Sequence, residues 1–360
     1  LDHMTRRDGL LINGTGGIAE CWTDDQDGEG CAGETCMITF QFLFYDRMIR
    51  LGVGDTAKLG DLMERLACNA LPAAQSRDGR HLRYYTPLNG DRKYFQTDAY
   101  CCPNNFRRAM GRLPGYVYYE KDGAILANLF TASKACLDAG TVSLSLTCDT
   151  DYPSSGIIRF TLEPDHPAQF AFKVRIPGWC QAPAVTVNGK RVTYPFSAGE
   201  ILSLPRVWKK GDVVELDLPM PIRCVKGRKR QSGRFAVMRG PQLYALDTRK
   251  VAGFEKSHPL DAASVIMLDP ALIRLAAKPD ASARPGGTAI ETRCNVRDFD
   301  RGIGPGDPAI TLTEFADPDG TLTYFRTPVP QSPLIVDDEL FVEKKDPERG
   351  SQRGFWGVSR

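Results

Sequence analysis

The sequence predicts an α+β chain of several domains, helical at its start and antiparallel β thereafter. Three observations carry that expectation. The apolar period changes from helical to two near Gly115. Val185-Thr186-Val187 runs straight into Asn188-Gly189, the strongest short hairpin signal in the chain. And 360 residues exceed one ordinary domain, so two or three are expected.

The elements follow in order. Ile38, Phe42, Tyr45 and Ile49 share one helical face, and Leu59, Leu62, Met63, Leu66 and Ala70 share another on a helix over 57–71 that stops before Pro72. Pro103 can open a third helix running through Phe106, Arg107, Ala109 and Met110 to Leu113. After Gly115 come short alternating strands at 116–119, 124–130, 142–146, 157–162 and 170–176, parted by turn residues such as Asp122-Gly123 and Pro153-Ser154, a spacing that argues for an antiparallel sandwich. A second β-rich unit begins near Pro221, with strands at 235–238, 242–246, 309–313 and 322–327. Beyond Asp337 the residues are charged and aperiodic, which reads as an edge segment or disorder. The expected division is 1–114, 115–222, 223–340 and a polar tail over 341–360.

Composition narrows the function. Forty-six basic against 44 acidic residues leave a net charge of +2, with no electrostatic footprint for nucleic acid or an anionic membrane. The short basic run from Lys226 to Arg230 reads as a solvated turn. No apolar run approaches the ~20 residues of a membrane span, and Leu1 to Asp8 carry no signal peptide. Eleven cysteines, an odd number in a long chain, are expected to be mostly reduced, so the compartment stays open with the cytoplasm favoured. Cys21, Cys31, Cys68, Cys136, Cys148, Cys180, Cys224 and Cys294 are expected to be structural.

The other three cysteines carry the chemistry. Cys101-Cys102 precede Pro103-Asn104-Asn105, and Glu34-Thr35-Cys36 lies upstream, together offering three thiolates and a carboxylate to one zinc ion. An adjacent pair could also be two small buried hydrophobes. Context raises the metal reading, because both thiols would sit at a helix amino end, where backbone N–H groups and the dipole favour the thiolate. Glu34 and Cys36 are placed in the first turn of the Ile38–Ile49 helix, where side chains fan outward. Two helix amino ends would then meet at one metal.

These residues also carry a family resemblance. Thr15-Gly16-Gly17-Ile18 with Glu20, Gly33-Glu34-Thr35-Cys36, and Tyr94-Phe95 leading to Cys101-Cys102-Pro103 resemble the zinc-dependent β-L-arabinofuranosidase family of glycoside hydrolases, family 127. Arg175-Ile176-Pro177-Gly178-Trp179, Val187-Asn188-Gly189-Lys190, Trp208-Lys209-Lys210-Gly211-Asp212 and Met238-Arg239-Gly240-Pro241 resemble its sandwich domains. The resemblance implies a partial (α/α)₆ barrel followed by two antiparallel β-sandwiches, the match beginning inside the catalytic domain. It implies Glu34, Cys36, Cys101 and Cys102 as zinc ligands, Cys101 as nucleophile, Glu20 as general acid/base and Tyr84 as a sugar contact. The implied activity is a retaining glycosidase releasing β-L-arabinofuranose or a related rare sugar from a glycoside or oligosaccharide. The same four ligands also suit a closed structural zinc site in a non-catalytic carbohydrate-binding or scaffolding protein, and Glu20 separates the two readings. With half a barrel absent, the apolar face of Phe42, Tyr45 and Ile49 is expected to lack partners.

Overall fold

The computed structural model describes residues 9–18, 21–22, 25–94, 97, 100–251, 266–277, 284, 286–296, 301–317 and 320–341. It is mostly β with few helices. Helix α1 spans Thr35–Leu51 and ends at Gly52, whose φ of 70° is left-handed and whose N–H reaches the Ile49 and Met48 carbonyls. Helix α2 spans Thr56–Arg65 and is capped by the Asp55 carboxylate, which accepts from the Lys58 N–H. It does not run unbroken to Pro72. A π-helical turn over Leu66–Ala70 resets the hydrogen bonding, and Pro72 then sits inside a fresh turn, Leu71–Ala73, where a missing N–H costs little. Helix α3, Cys101–Arg112, begins two residues before Pro103, at the first cysteine of the pair.

The face of Phe42, Tyr45 and Ile49 is fully packed, contrary to expectation, at 0, 0 and 5% exposure. Leu59, Leu62 and Met63 of α2 and Phe106 and Ala109 of α3 cover it, and the Phe42 ring stacks on Tyr116 at 5.7 Å. The exposed apolar residues of α1 lie elsewhere on the helix, at Phe40 (52%), Phe44 (43%) and Leu51 (74%).

Beyond the helices, a six-stranded antiparallel sheet runs in the order 190–191, 184–187, 212–217, 157–164, 142–150, 133–139. A four-stranded sheet runs 200–208, 168–176, 124–127, 118–121. Their inner residues, among them Leu146, Phe160, Phe172, Val174, Leu216 and Trp208, form one core. The expected hairpin is present. Asn188 (φ 51°) and Gly189 (φ 72°) are both left-handed, as a two-residue turn of this hand demands, and Thr186 and Val187 pair with Arg191 and Lys190.

Among the described residues, the strands after Pro221 are joined in one hydrogen-bonded sheet rather than two separate ones, and strand 89–91 from the helical region brings it to eleven strands. Strands 234–239, 324–326, 266–268, 290–296, 309–314 and 242–247 close on themselves, because 234–239 also pairs with 242–247. Closure removes sheet edges. Alternate residues divide between two cores: Phe235, Val237, Tyr244 and Leu246 on one side, Ala236, Met238, Leu243 and Ala245 on the other, where Leu11, Ile12, Ala32, Ala73 and Leu88 cover them.

Buried charges fasten the helices to the sheets. Arg175 is completely buried and binds Asp61 and Glu64 of α2, while its Nε donates to the Asn128 carbonyl at 2.7 Å. Tyr152 and Trp179 complete the Glu64 carboxylate at 2.7 and 3.1 Å, and the Gly178 N–H reaches Asp61 at 2.9 Å. Gly60 makes this approach feasible, since a Cβ there would lie 2.3 Å from the Asn128 amide oxygen and 2.5 Å from Arg175 Cδ.

One expectation about a charged segment is corrected. The chain past Asp337 is docked as far as Phe341: Arg65 holds Asp338 and Glu339, Arg223 holds Glu339 at 2.6 Å, and Leu340 is buried among the helices. Residues 342–360 lie outside the described residues. The basic run at 226–230 keeps Lys226, Lys229 and Arg230 exposed at a turn, as expected, while Arg228 lies over the Phe341 ring and Arg230 pairs with Asp25 and Asp27. Charge complementarity across long sequence separations outweighs the local polarity that suggested solvent. Among the described residues no helix is long and apolar enough to cross a membrane.

Candidate metal centre

The site lies where the amino ends of α1 and α3 meet. Glu34 is the residue just before α1 and is extended (φ −62°, ψ 131°), whereas Cys36 lies in the first turn. That change of backbone conformation is why two residues only two apart can face one point, which they could not do inside a helix. Cys101 and Cys102 are the first two residues of α3. The Thr39 hydroxyl of α1 donates to the Asn105 carbonyl of α3 at 2.8 Å, fixing the helices against each other.

One ligand atom from each of Glu34, Cys36, Cys101 and Cys102 lies within 4.8 Å of all the others, so the four could hold a metal ion. Cys36 Sγ is 3.4 Å from Cys102 Sγ, and Cys102 Sγ is 3.9 Å from Cys101 Sγ. Zinc–sulfur bonds of about 2.3 Å in a tetrahedron place sulfurs about 3.8 Å apart, so the spacing suits that ion. Glu34, Cys36 and Cys102 are buried, at 3, 7 and 0% exposure, while Cys101 is exposed.

Burial pushes the Cys36 thiol up to about 11, partly opposed by the Asn105 amide, which donates to its sulfur at 3.1 Å. The Cys102 thiol is pushed higher still, by burial first and then by Cys36. Neither sulfur ionises at neutral pH through the protein's own groups, so a bound cation has to displace their protons. All eleven cysteines are free thiols. Of those expected to be structural, Cys21, Cys31 and Cys136 are exposed, Cys68 is half-buried, and Cys148, Cys180, Cys224 and Cys294 are buried.

Tyr84 reaches the cluster from a third segment. The Thr35 N–H donates to the Tyr84 carbonyl at 3.0 Å, the Thr35 hydroxyl to the Arg83 carbonyl at 2.8 Å, and Glu34 bridges Tyr85. These bonds bring the Tyr84 hydroxyl to 3.9 Å from Cys101 Sγ. Its ring touches Tyr85 at 4.4 Å and stacks on Tyr100 at 5.6 Å, giving the cluster an aromatic wall. Burial, then Cys101, holds the Tyr84 hydroxyl well above its ordinary range. Glu20 lies outside the described residues. The contact that sequence reasoning missed is Asn105. Its position three after Cys102 and four after Cys101, on one helical face with both, was the available signal.

Comparison with known proteins places the helical region and the first β unit among glycoside hydrolases. Residues 1–115 match the family model described as β-L-arabinofuranosidase, GH127 catalytic domain, and residues 124–220 match the GH127 middle domain. The chain therefore belongs to the GH127 β-L-arabinofuranosidase family. A non-reducing end β-L-arabinofuranosidase of Bifidobacterium longum subsp. longum is 28% identical over 274 residues, 68% of this chain and 40% of that protein. Two solved structures share the fold. A GH127 β-L-arabinofuranosidase from Geobacillus stearothermophilus T6 superposes with a TM-score of 0.77 at 23% identity, and a GH127 β-arabinofuranosidase with 0.76 at 27%. In each case the match covers 91% of this chain and 55% of the other. The chain thus spans about half the length of these relatives, or less.

Proposed function

We propose that the chain contributes the metal centre of a retaining glycoside hydrolase that releases β-L-arabinofuranose, or a related rare sugar, from a glycoside or oligosaccharide. The observation that carries this reading is the exposure of Cys101: three of the four candidate ligands are buried, and the fourth is a thiol open to an incoming molecule at a helix amino end. A closed structural site would bury all four. In this reading α1, α2 and α3 belong to an (α/α)₆ barrel within residues 1–114, followed by a β-sandwich unit at 115–222 and a second β unit at 223–340, whose strands close on themselves instead of forming the sandwich expected from the sequence. The exposed Phe40, Phe44 and Leu51 of α1 suit a helix with further neighbours in such a barrel.

Glu34, Cys36, Cys101 and Cys102 would hold zinc, which when bound would keep Cys101 as the thiolate. The Cys101 sulfur bonds to the anomeric carbon as the glycosidic carbon–oxygen bond breaks, and Glu20 gives its proton to the departing oxygen. Glu20 then takes a proton from water, whose oxygen bonds to the same carbon as the carbon–sulfur bond breaks. Retention follows from two inversions. Tyr84, beside the sulfur, would contact the sugar.

Two measurements on an active protein containing this chain test the proposal. A mechanism-based β-L-arabinofuranosyl inactivator should add one glycosyl mass to the peptide bearing Cys101, and labelling of a carboxylate would overturn the nucleophile. Glu20→Gln should slow turnover by roughly two to four orders of magnitude with metal content unchanged. Near-normal turnover removes Glu20 from the reaction.

A further inference from the structure

Far along the chain from the thiol cluster, the Asn188-Gly189 hairpin borders a groove of about 440 Å³. It runs between the hairpin, at one edge of the six-stranded sheet, and strand 200–208, at one edge of the four-stranded sheet. Its floor is apolar, with Val187 and Leu204 buried at 7 and 3% exposure. One wall is Tyr194, 47% exposed, whose hydroxyl donates to the Ser203 carbonyl at 2.9 Å and so fixes the ring. The rim carries Lys190, Arg191 and Arg206, and none of the residues lining the groove is acidic. Among the described residues no carboxylate pairs with any of these three cations. The Arg206 guanidinium is held over the Trp208 ring, 5.2 Å from its centre.

We propose that this groove binds an acidic carbohydrate chain, with a sugar ring on Tyr194 and uronate carboxylates on Lys190, Arg191 and Arg206. The chemistry is complementary on both counts. A fixed, half-exposed aromatic ring offers the flat apolar surface that the C–H face of a pyranose covers at little entropic cost. Three cations converging on one groove specify repeated negative charge, and a guanidinium takes a carboxylate in a bidentate fork. A nucleic acid would answer the same two features less well. Nucleic-acid binding draws its strength from neutralising many backbone phosphates, whereas this rim offers three cations on a chain whose net charge is only +2. The inference is independent of the reaction proposed at the thiol cluster, since it concerns other residues and requires no turnover.

Isothermal titration decides it, using a galacturonate oligomer, a neutral oligosaccharide of equal length and a single-stranded oligonucleotide, each against the whole chain. The galacturonate oligomer should bind at one site and the neutral one at least about tenfold more weakly, the value of one charge-assisted contact. Arg191→Glu with Arg206→Glu should abolish that preference. If the doubly reversed protein does not fold, Lys190→Gln with Arg191→Gln should still reduce it. Tyr194→Ala should weaken binding more than Tyr194→Phe, which keeps the ring and loses only the bond that fixes it. Groove variants should retain the metal content of the parent, and chelation of the metal should leave galacturonate binding intact. Equal affinity for the neutral oligomer, tighter binding of the oligonucleotide, no galacturonate binding, or affinity insensitive to charge reversal would each overturn the proposal.

Discussion

Two of the clusters that bury acidic groups in this molecule neutralise them differently. Around Arg175, the carboxylates of Asp61 and Glu64 meet a guanidinium from the chain itself, and Tyr152, Trp179 and Gly178 fill their remaining lone pairs. Around Cys36 and Cys102, the four converging groups are a carboxylate and three thiols, with no cation among the four. The first cluster is complete as folded and holds α2 to the sheets. The second is built from donors that share one sign when ionised, and burial first, then their neighbours, keeps the Cys36 and Cys102 thiols protonated. A cluster that carries its own countercharge fastens structure, whereas one that lacks it is suited to take up a cation.

The sharpest way to break this contrast is Cys102→Ser. Loss of a buried thiolate ligand should lower metal content from about one equivalent to well under half, measured on purified protein by elemental analysis. Full retention of zinc would mean that the four donors are not its site.

The matching change in the other cluster is Arg175→Ala, which leaves Asp61 and Glu64 buried without their cation. Chemical denaturation should show a loss of about 3–5 kcal/mol, with metal content unaffected in whatever fraction folds. Arg175→Met combined with Asp61→Asn and Glu64→Gln removes all of the charges together, and should recover much of that loss. Equal instability of the single and triple variants would show that packing, not charge, dominates there.

The thiol cluster also carries a prediction about protons. Cys36, pushed up to about 11, and Cys102, higher still, hold their protons at neutral pH and must release them to bind a cation. Binding therefore weakens as pH falls. The two protons released by Cys36 and Cys102 alone correspond to a loss of zinc affinity of at least about a hundredfold per pH unit, read by chelator competition between about pH 6 and 8. A flat profile would show that the thiols are ionised before the metal arrives. The smallest expected effect is at Asn105, whose amide supports the Cys36 sulfur. Asn105→Leu should weaken zinc about tenfold and raise the pH at which binding sets in, because the donor that favours the thiolate is gone.

The parts of the site that sequence alone located share a local signature. Glu34, Cys36, Cys101 and Cys102 are donors of recognisable type placed beside apolar periods, so both their chemistry and their helix ends are written within a few residues of each. The Asn188-Gly189 hairpin is legible for the same reason, since two left-handed residues can be read without knowing anything distant. Period and turn chemistry likewise placed the change from helix to strand near Gly115. Tertiary structure decided what depends on neighbours remote in sequence. Phe42, Tyr45 and Ile49 were recognisable as one apolar face, but only the arrangement of α2, α3 and Tyr116 determined that this face is covered while Phe40 and Phe44 stay exposed. Arg175 finds Asp61 across 114 residues and Arg65 finds Asp338 across 273, and Tyr84 reaches Cys101 only because Glu34 bridges Tyr85. Periodicity reports how a segment divides its own faces, and it carries no record of which distant charge or ring will meet them.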